Sequence, residues 1–241
     1  MNAVLSLASE RLKEGAVVKI CGLREPEHAI AAAEAGADLL GFIFAPARRR
    51  VTPEQARRCI EAARRATSPA RGLLAVGVFV DASPVEIGAT VREAGLDVVQ
   101  LHGAEPPGFP AMLPVPTIKA LKPLPPAAVA ETIEVAAAYF SATQRPVALL
   151  IDGYHPTSAG GSGTRADWGL ARAVSPRWPT LLAGGLTPEN VAEAIQMVRP
   201  LGVDVSGGVE EDGIKDSERI AAFIVAAKVA FVQEAARSSA A

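Results

Sequence analysis

The chain has 241 residues, close to the roughly 250 of one (β/α)8 domain and enough for a large core. Its 49% apolar and 21% charged residues are those of a soluble globular protein, and a net charge of -2 excludes the positive field that nucleic acid or an anionic membrane would need. Two cysteines, Cys21 and Cys59, exclude a disulfide framework, and the scattered His28, His102 and His155 exclude a clustered zinc spacing. Glu10, Arg11, Lys13 and Glu14 stand where a signal peptide would need an apolar core, and no run approaches the roughly 18 apolar residues of a membrane span. A cytoplasmic protein is expected, with residues 1–14 as an extension, 15–235 as one domain and 236–241 as a loose tail.

In chain order the pattern alternates strand and helix. Strand 17–21 is followed by helix 26–35, closed by Gly36. Residues 38–44 are nearly all apolar, as a strand buried on both faces should be. Thr52-Pro53 opens a helix in the cap-then-proline pattern, with Ala56, Cys59, Ile60 and Ala63 on one face, so Cys59 reads as core. The arginines of this region share that helix with Glu54 and Glu61, and Glu61 faces Arg65 four residues on, which describes a solvated face rather than a nucleic-acid patch. Strand 73–80, a Ser83-Pro84-capped helix to Ala94, strand 97–101, a short helix near 109–113 and strand 115–121 come next. Helix 127–142, strand 146–152, a long loop 153–166, helix 167–175 and strand 179–183 follow. Thr187-Pro188-Glu189 opens another capped helix, 202–206 is the eighth strand, and 216–234 the closing helix. Eight strands, each followed by a helix or helix-like stretch, predict a single α/β (β/α)8 barrel. A doubly wound open sheet is the alternative, but no Gly-x-Gly-x-x-Gly turn follows the first strand.

Strand C-termini of a parallel barrel share one rim, and catalytic groups gather there. The residues so collected are Cys21, the segment 48–50, Asp81, His102, Lys119, Asp152, Gly184-Gly185 and Ser206-Gly207-Gly208. Glycine pairs after the seventh and eighth strands, with Gly161 and Gly163 in a third glycine-rich loop, let backbone N–H groups turn toward an anion, which points to a phosphate-bearing ligand. Cys21 and Asp152 offer a thiolate base and a carboxylic acid on roughly opposite sides of that rim. Lys19 lies on the same strand face as Cys21 and is expected to bias the thiol toward thiolate.

Several blocks then identify a family. They are Val18-Lys19-Ile20-Cys21-Gly22, Ala35-Gly36-Ala37-Asp38-Leu39-Leu40-Gly41-Phe42, Val99-Gln100-Leu101-His102-Gly103, Leu149-Leu150-Ile151-Asp152, Gly160-Gly161-Ser162-Gly163, Asp167-Trp168, Ala183-Gly184-Gly185-Leu186-Thr187-Pro188-Glu189-Asn190-Val191, and Val203-Asp204-Val205-Ser206 through Gly208-Val209-Glu210. In this order and spacing the chain resembles phosphoribosylanthranilate isomerase, a barrel enzyme of tryptophan biosynthesis, over nearly all of residues 17–227.

The resemblance implies an Amadori rearrangement of N-(5-phosphoribosyl)anthranilate, a small phosphosugar substrate, with no cofactor, no metal, no nucleic acid and no membrane, in a monomer or homodimer. It implies Cys21 as general base, Asp152 as general acid and an arginine after the second strand holding the anthranilate. Where the family usually has Ser-Pro-Arg, this chain has Arg48-Arg49-Arg50 before Val51; Arg49 matches by count, and Arg50 matches if the loop shifts by one. Lys19, Gln100 and His102 join Arg49 as expected substrate-binding residues, and Trp168 as packing. Gly161, Gly163, Gly184, Gly185, Ser206, Gly207 and Gly208 are the expected phosphate contacts, with Gly207 where the family tends to have a second serine. The competing readings are another phosphate-binding barrel, such as ribulose-phosphate epimerase or indole-glycerol phosphate synthase, and a sugar-phosphate sensor without turnover.

Overall fold

The structure, a computed structural model, describes residues 15–68, 72–123, 129–153 and 166–239. Among them, strand and helix alternate from β1 (Val17–Cys21) and α1 (Pro26–Ala35) through β2 (Leu39–Ile43), α2 (Pro53–Ala66), β3 (Leu74–Phe79) and α3 (Pro84–Ala94). The order continues with β4 (Val98–Leu101), β5 (Thr117–Leu121), α4 (Val129–Phe140), β6 (Ala148–Ile151), α5 (Trp168–Val174), β7 (Thr180–Leu182), α6 (Val191–Val198) and β8 (Gly202–Val205). These eight strands pair in sequence order, every pair parallel, and β8 returns to β1, so the sheet closes into the expected barrel. A two-stranded antiparallel ribbon, β9 (Glu210–Glu211) with β10 (Ile214–Lys215), then precedes the closing helix α7 (Ser217–Ser239).

Period-two alternation sorts the strand residues into two apolar layers. Val17, Leu39, Leu74, Val76, Val98, Ile118, Ala148 and Leu150 fill the barrel interior. Val18, Ile20, Leu40, Phe42, Val99, Leu101, Leu149 and Val203 face outward against the helices, where Cys59 is also buried. The helix starts follow their caps. Thr52 with Gln55 and Ser83 with Glu86 each form a reciprocal capping box, and Gly36 and Gly95 adopt the left-handed conformation that stops a helix.

Three segments differ from expectation. Thr187-Pro188-Glu189 forms a turn that leads into the helix rather than its first turn: Asn190 Oδ1 accepts the Thr187 N–H at 2.8 Å, the Thr187 carbonyl accepts the Val191 N–H at 3.1 Å, and α6 starts at Val191. The closing helix continues to Ser239, so residues 236–239 are its last turn rather than a tail. The ribbon β9–β10 was not anticipated; Asp212 and Gly213 both have positive φ between its strands, the requirement of a two-residue hairpin turn. No helix among the described residues is long and apolar enough to cross a membrane.

The barrel floor is tied to its helical coat by Asp38. Its Oδ2 accepts the Val18 N–H at 2.7 Å and the Lys228 ammonium of α7 at 2.6 Å, while Lys228 also donates to the Ala16 carbonyl. Asp38→Ala leaves a buried strand N–H without its acceptor, and urea unfolding is expected to show a loss of about 1–3 kcal/mol. An unchanged unfolding midpoint would contradict this role.

Candidate active site

The mouth of the barrel is built outward from β1. Because Val17 faces inward, Lys19 and Cys21 do too, and their neighbours follow from pairing register: Lys19 stands opposite Asp204 on β8 and Cys21 opposite Gly41 on β2. Lys19 is 0% exposed and donates to Asp204 Oδ1 at 3.0 Å. Burial works against its charge, yet Asp204 and Cys21 hold it above the usual lysine value. Burial pushes the Cys21 thiol up, and although Lys19 pulls the other way by charge and hydrogen bonding, the thiol stays above its ordinary value. Lys19 therefore acts in the expected direction, but desolvation outweighs it and Cys21 rests as a thiol. Gly41 makes room for it, since a Cβ there would lie 2.8 Å from Cys21 Sγ and 3.0 Å from its Cα.

Inward positions on β4 and β6 supply a second group of polar side chains. Gln100 Nε2 lies 2.9 Å from His102 Nδ1, which turns the other ring nitrogen, Nε2, toward β6. That nitrogen is 3.4 Å from Asp152 Oδ2, while Asp152 Oδ1 accepts the Gly153 N–H at 2.8 Å. One carboxylate oxygen thus caps its own loop and the other faces His102. Lys19 and Gln100, expected to meet substrate, are buried below the rim and bonded to Asp204 and His102; they support the groups above them.

The three arginines of the segment differ in burial. Arg49 is 8% exposed and lies against Gly22, where a Cβ would stand 2.7 Å from its Cδ; Arg48 and Arg50 are exposed. Gly22 has φ +77°, so glycine serves both its backbone and the crossing side chain. Arg49 Nε and Nη2 grip Glu210 at 2.5 and 2.7 Å, and Lys215 reaches the same carboxylate at 2.9 Å and the Ser206 carbonyl at 2.8 Å. Burial alone would raise the Glu210 carboxyl, but the Arg49 hydrogen bonds and Lys215 charge hold it down at about 2.

The glycine loops after β7 and β8 touch each other. Gly184 and Gly185 have φ of +80° and +65°, and Gly208 packs directly on the Leu186 carbonyl, leaving no room for a side chain. Gly207 and Gly208 lie in a 3-10 turn (Gly207–Val209) behind Ser206, whose hydroxyl donates to the Cys21 carbonyl at 3.2 Å. Gly161 and Gly163 lie outside the described residues. Lys119 does not join the mouth: Ile118 and Ala120 take the inward positions of β5, and Lys119 faces the helices, 2.6 Å from Glu105. Trp168 is buried at the start of α5, in the outer layer as expected. Among the described residues no three His, Cys, Asp or Glu side chains are grouped to hold a metal ion.

Sequence reasoning missed Glu210 and Lys215 as site components, although Asp212-Gly213 between two short strand-like pairs is a hairpin signal. It also missed Asp204, whose inward direction follows from lying two residues before Ser206.

Thiolate ultraviolet absorbance can test the electrostatics in a Cys59→Ser background, because burial pushes Cys59 up to about 11. Cys21 is expected to titrate above the ordinary thiol value, and Lys19→Met to move it further up. Titration below that value, or a downward shift in Lys19→Met, would contradict the assignment.

Comparison with known proteins agrees with this geometry. The sequence model of the family described as N-(5'phosphoribosyl)anthranilate (PRA) isomerase matches residues 18–226. The N-(5'-phosphoribosyl)anthranilate isomerase of Roseiflexus sp. (strain RS-1) is 45% identical over 215 residues, covering 88% of this chain and 98% of the relative. Among solved structures, the phosphoribosyl anthranilate isomerase of Thermus thermophilus superposes with TM-score 0.72 at 38% identity, over 87% of this chain and 97% of that one. A phosphoribosyl anthranilate isomerase in complex with reduced 1-(o-carboxyphenylamino)-1-deoxyribulose 5-phosphate superposes with TM-score 0.71 at 34% identity, over 88% and 98%. The chain belongs to the N-(5'-phosphoribosyl)anthranilate isomerase family.

Proposed function

We propose that this chain isomerises N-(5-phosphoribosyl)anthranilate to 1-(2-carboxyphenylamino)-1-deoxyribulose 5-phosphate, a step of tryptophan biosynthesis, by general acid–base catalysis. The observation that carries the reading is one barrel mouth holding an inward thiol beside a buried cation, an inward carboxylate beside a histidine, and two touching glycine loops. The family relationship supports the same substrate.

The substrate phosphate lies on the loops after β7 and β8, on backbone N–H groups of Gly184, Gly185, Ser206, Gly207 and Gly208. Asp152 gives a proton to the furanose ring oxygen as the C1–O bond breaks, and the anthranilate nitrogen forms an iminium with C1. The minor thiolate form of Cys21, paired with the Lys19 ammonium, takes the proton from C2, and the iminium accepts the electron pair to give an enolamine. Proton return to C1 and loss of the enol proton leave the 2-ketone, so the net change is an isomerisation with no oxidant or reductant. Lys19 stabilises the thiolate, Gln100 fixes the His102 ring, and His102 holds the Asp152 carboxyl toward the cavity. Arg49 pairs with the anthranilate carboxylate.

The test is the loss of substrate fluorescence with purified protein in EDTA. Turnover is expected to be unaffected by the chelator and to fall about a hundredfold or more in Cys21→Ala and in Asp152→Asn, each still folded by circular dichroism. Near-normal turnover in either variant would refute its assigned role, and wild type at the spontaneous rate would refute the function.

A further inference from the structure

The charges packed above Cys21 do not balance. Arg49 and Lys215 have side chains 9% and 4% exposed, and the one carboxylate they share, Glu210, is 6% exposed. A third cation, Arg48, meets the same carboxylate from the solvent side at 2.7 Å, while its Nη1 holds the Gly213 carbonyl in the turn of the β9–β10 ribbon. Burying two cations against one anion is costly unless a further negative group completes the set. Glu210 also occupies Arg49 through Nε and Nη2 together, a fork-to-fork contact that prevents the guanidinium from turning and leaves Nη1 for another acceptor. The ribbon is anchored at both ends of this contact: Lys215 binds the Ser206 carbonyl on one side and Arg48 binds Gly213 on the other.

We propose that Glu210 is a positioning residue: carried on the ribbon, it clamps Arg49 by one edge so that the other edge receives the aryl carboxylate of the substrate, and the surplus buried cations select a substrate with a second anionic group beyond its phosphate. The inference rests on the isomerase reading above. In ordinary arginine–carboxylate recognition the side chain is ordered when the ligand arrives; here Glu210 orders it beforehand, which lowers the entropic cost of binding.

The test is a double-mutant cycle with two probes, reduced 1-(o-carboxyphenylamino)-1-deoxyribulose 5-phosphate and ribose 5-phosphate, which lacks the aryl group. Glu210→Gln is expected to weaken the aryl probe about tenfold or more and ribose 5-phosphate less than about twofold. In an Arg49→Met background the same substitution is expected to add nothing, and KM is expected to change more than kcat. Glu210→Asp, which keeps the charge but sets the carboxylate back by one methylene from Arg49, serves as a second variant and is expected to lie between wild type and Glu210→Gln. Equal weakening of both probes, full additivity with Arg49→Met, or no weakening in Glu210→Gln would each overturn the clamp. A wild type that binds ribose 5-phosphate but not the aryl probe would overturn the isomerase reading and this inference with it; a wild type that binds both, with no coupling, overturns this inference alone.

Discussion

The pairing of β1 with β8 on one side and β2 on the other is the constraint on which the rest of the mouth depends. It sets Lys19 across from Asp204 and Cys21 across from Gly41. A slip of one residue would turn Lys19 and Cys21 out among the helices and bring Val18 and Ile20 to the inward positions that the polar mouth needs. A lysine with no exposed surface is tolerated only because a carboxylate faces it on the adjacent strand. Such a pair contributes little to stability compared with an apolar replacement. Its consequence is local: it keeps a positive charge within hydrogen-bonding reach of the Cys21 thiol and offsets part of the burial that holds that thiol above its ordinary value.

The polar groups of the mouth form three stations, each pairing a side chain proposed to react with or contact substrate with one that holds it. Cys21 has Lys19 and Asp204, Asp152 has His102 and Gln100, and Arg49 has Glu210 and Lys215. A fourth buried pair, Lys119 with Glu105, shows how far strand direction decides meaning. Glu105 accepts the N–H groups of Asp81 and Gly103, and Tyr139 donates its hydroxyl to the Glu105 carbonyl, so this pair stitches loops to the helical layer. The chemistry of the side chains is much the same as at Lys19; the face of the sheet differs.

That difference also explains what could be read from the residues alone. Helix starts at Pro53 and Pro84 were legible because a hydroxyl cap, a proline and a Gln or Glu three residues beyond the cap all act locally. That Cys21 and Asp152 both reach the barrel mouth was legible because strand ends in a parallel barrel share one rim. Lys119 was misplaced because nearness to a strand end is not enough; the alternation of Ile118 and Ala120 decides its face. At Thr187-Pro188 the capping pattern closes only a turn, with the Asn190 and Val191 N–H groups both on the Thr187 carbonyl, and regular helix begins at Val191. The ribbon escaped because strands of two residues have no periodicity to detect, and with it went Glu210, whose partner Arg49 lies far away in sequence. That Arg49 is buried and Arg50 exposed could not be read from the loop sequence, because burial depends on the distant ribbon that Arg49 packs against.

The central claim is a division of labour, with Asp152 acting at the ring oxygen before Cys21 acts at C2. Turnover of substrate carrying deuterium at C2 tests it most directly. In Cys21→Ser, where proton removal limits the rate, deuterium is expected to slow turnover several-fold. In Asp152→Asn, where ring opening limits the rate, the isotope effect is expected to vanish. An isotope effect that disappears in Cys21→Ser and persists in Asp152→Asn would contradict the assignment of base and acid.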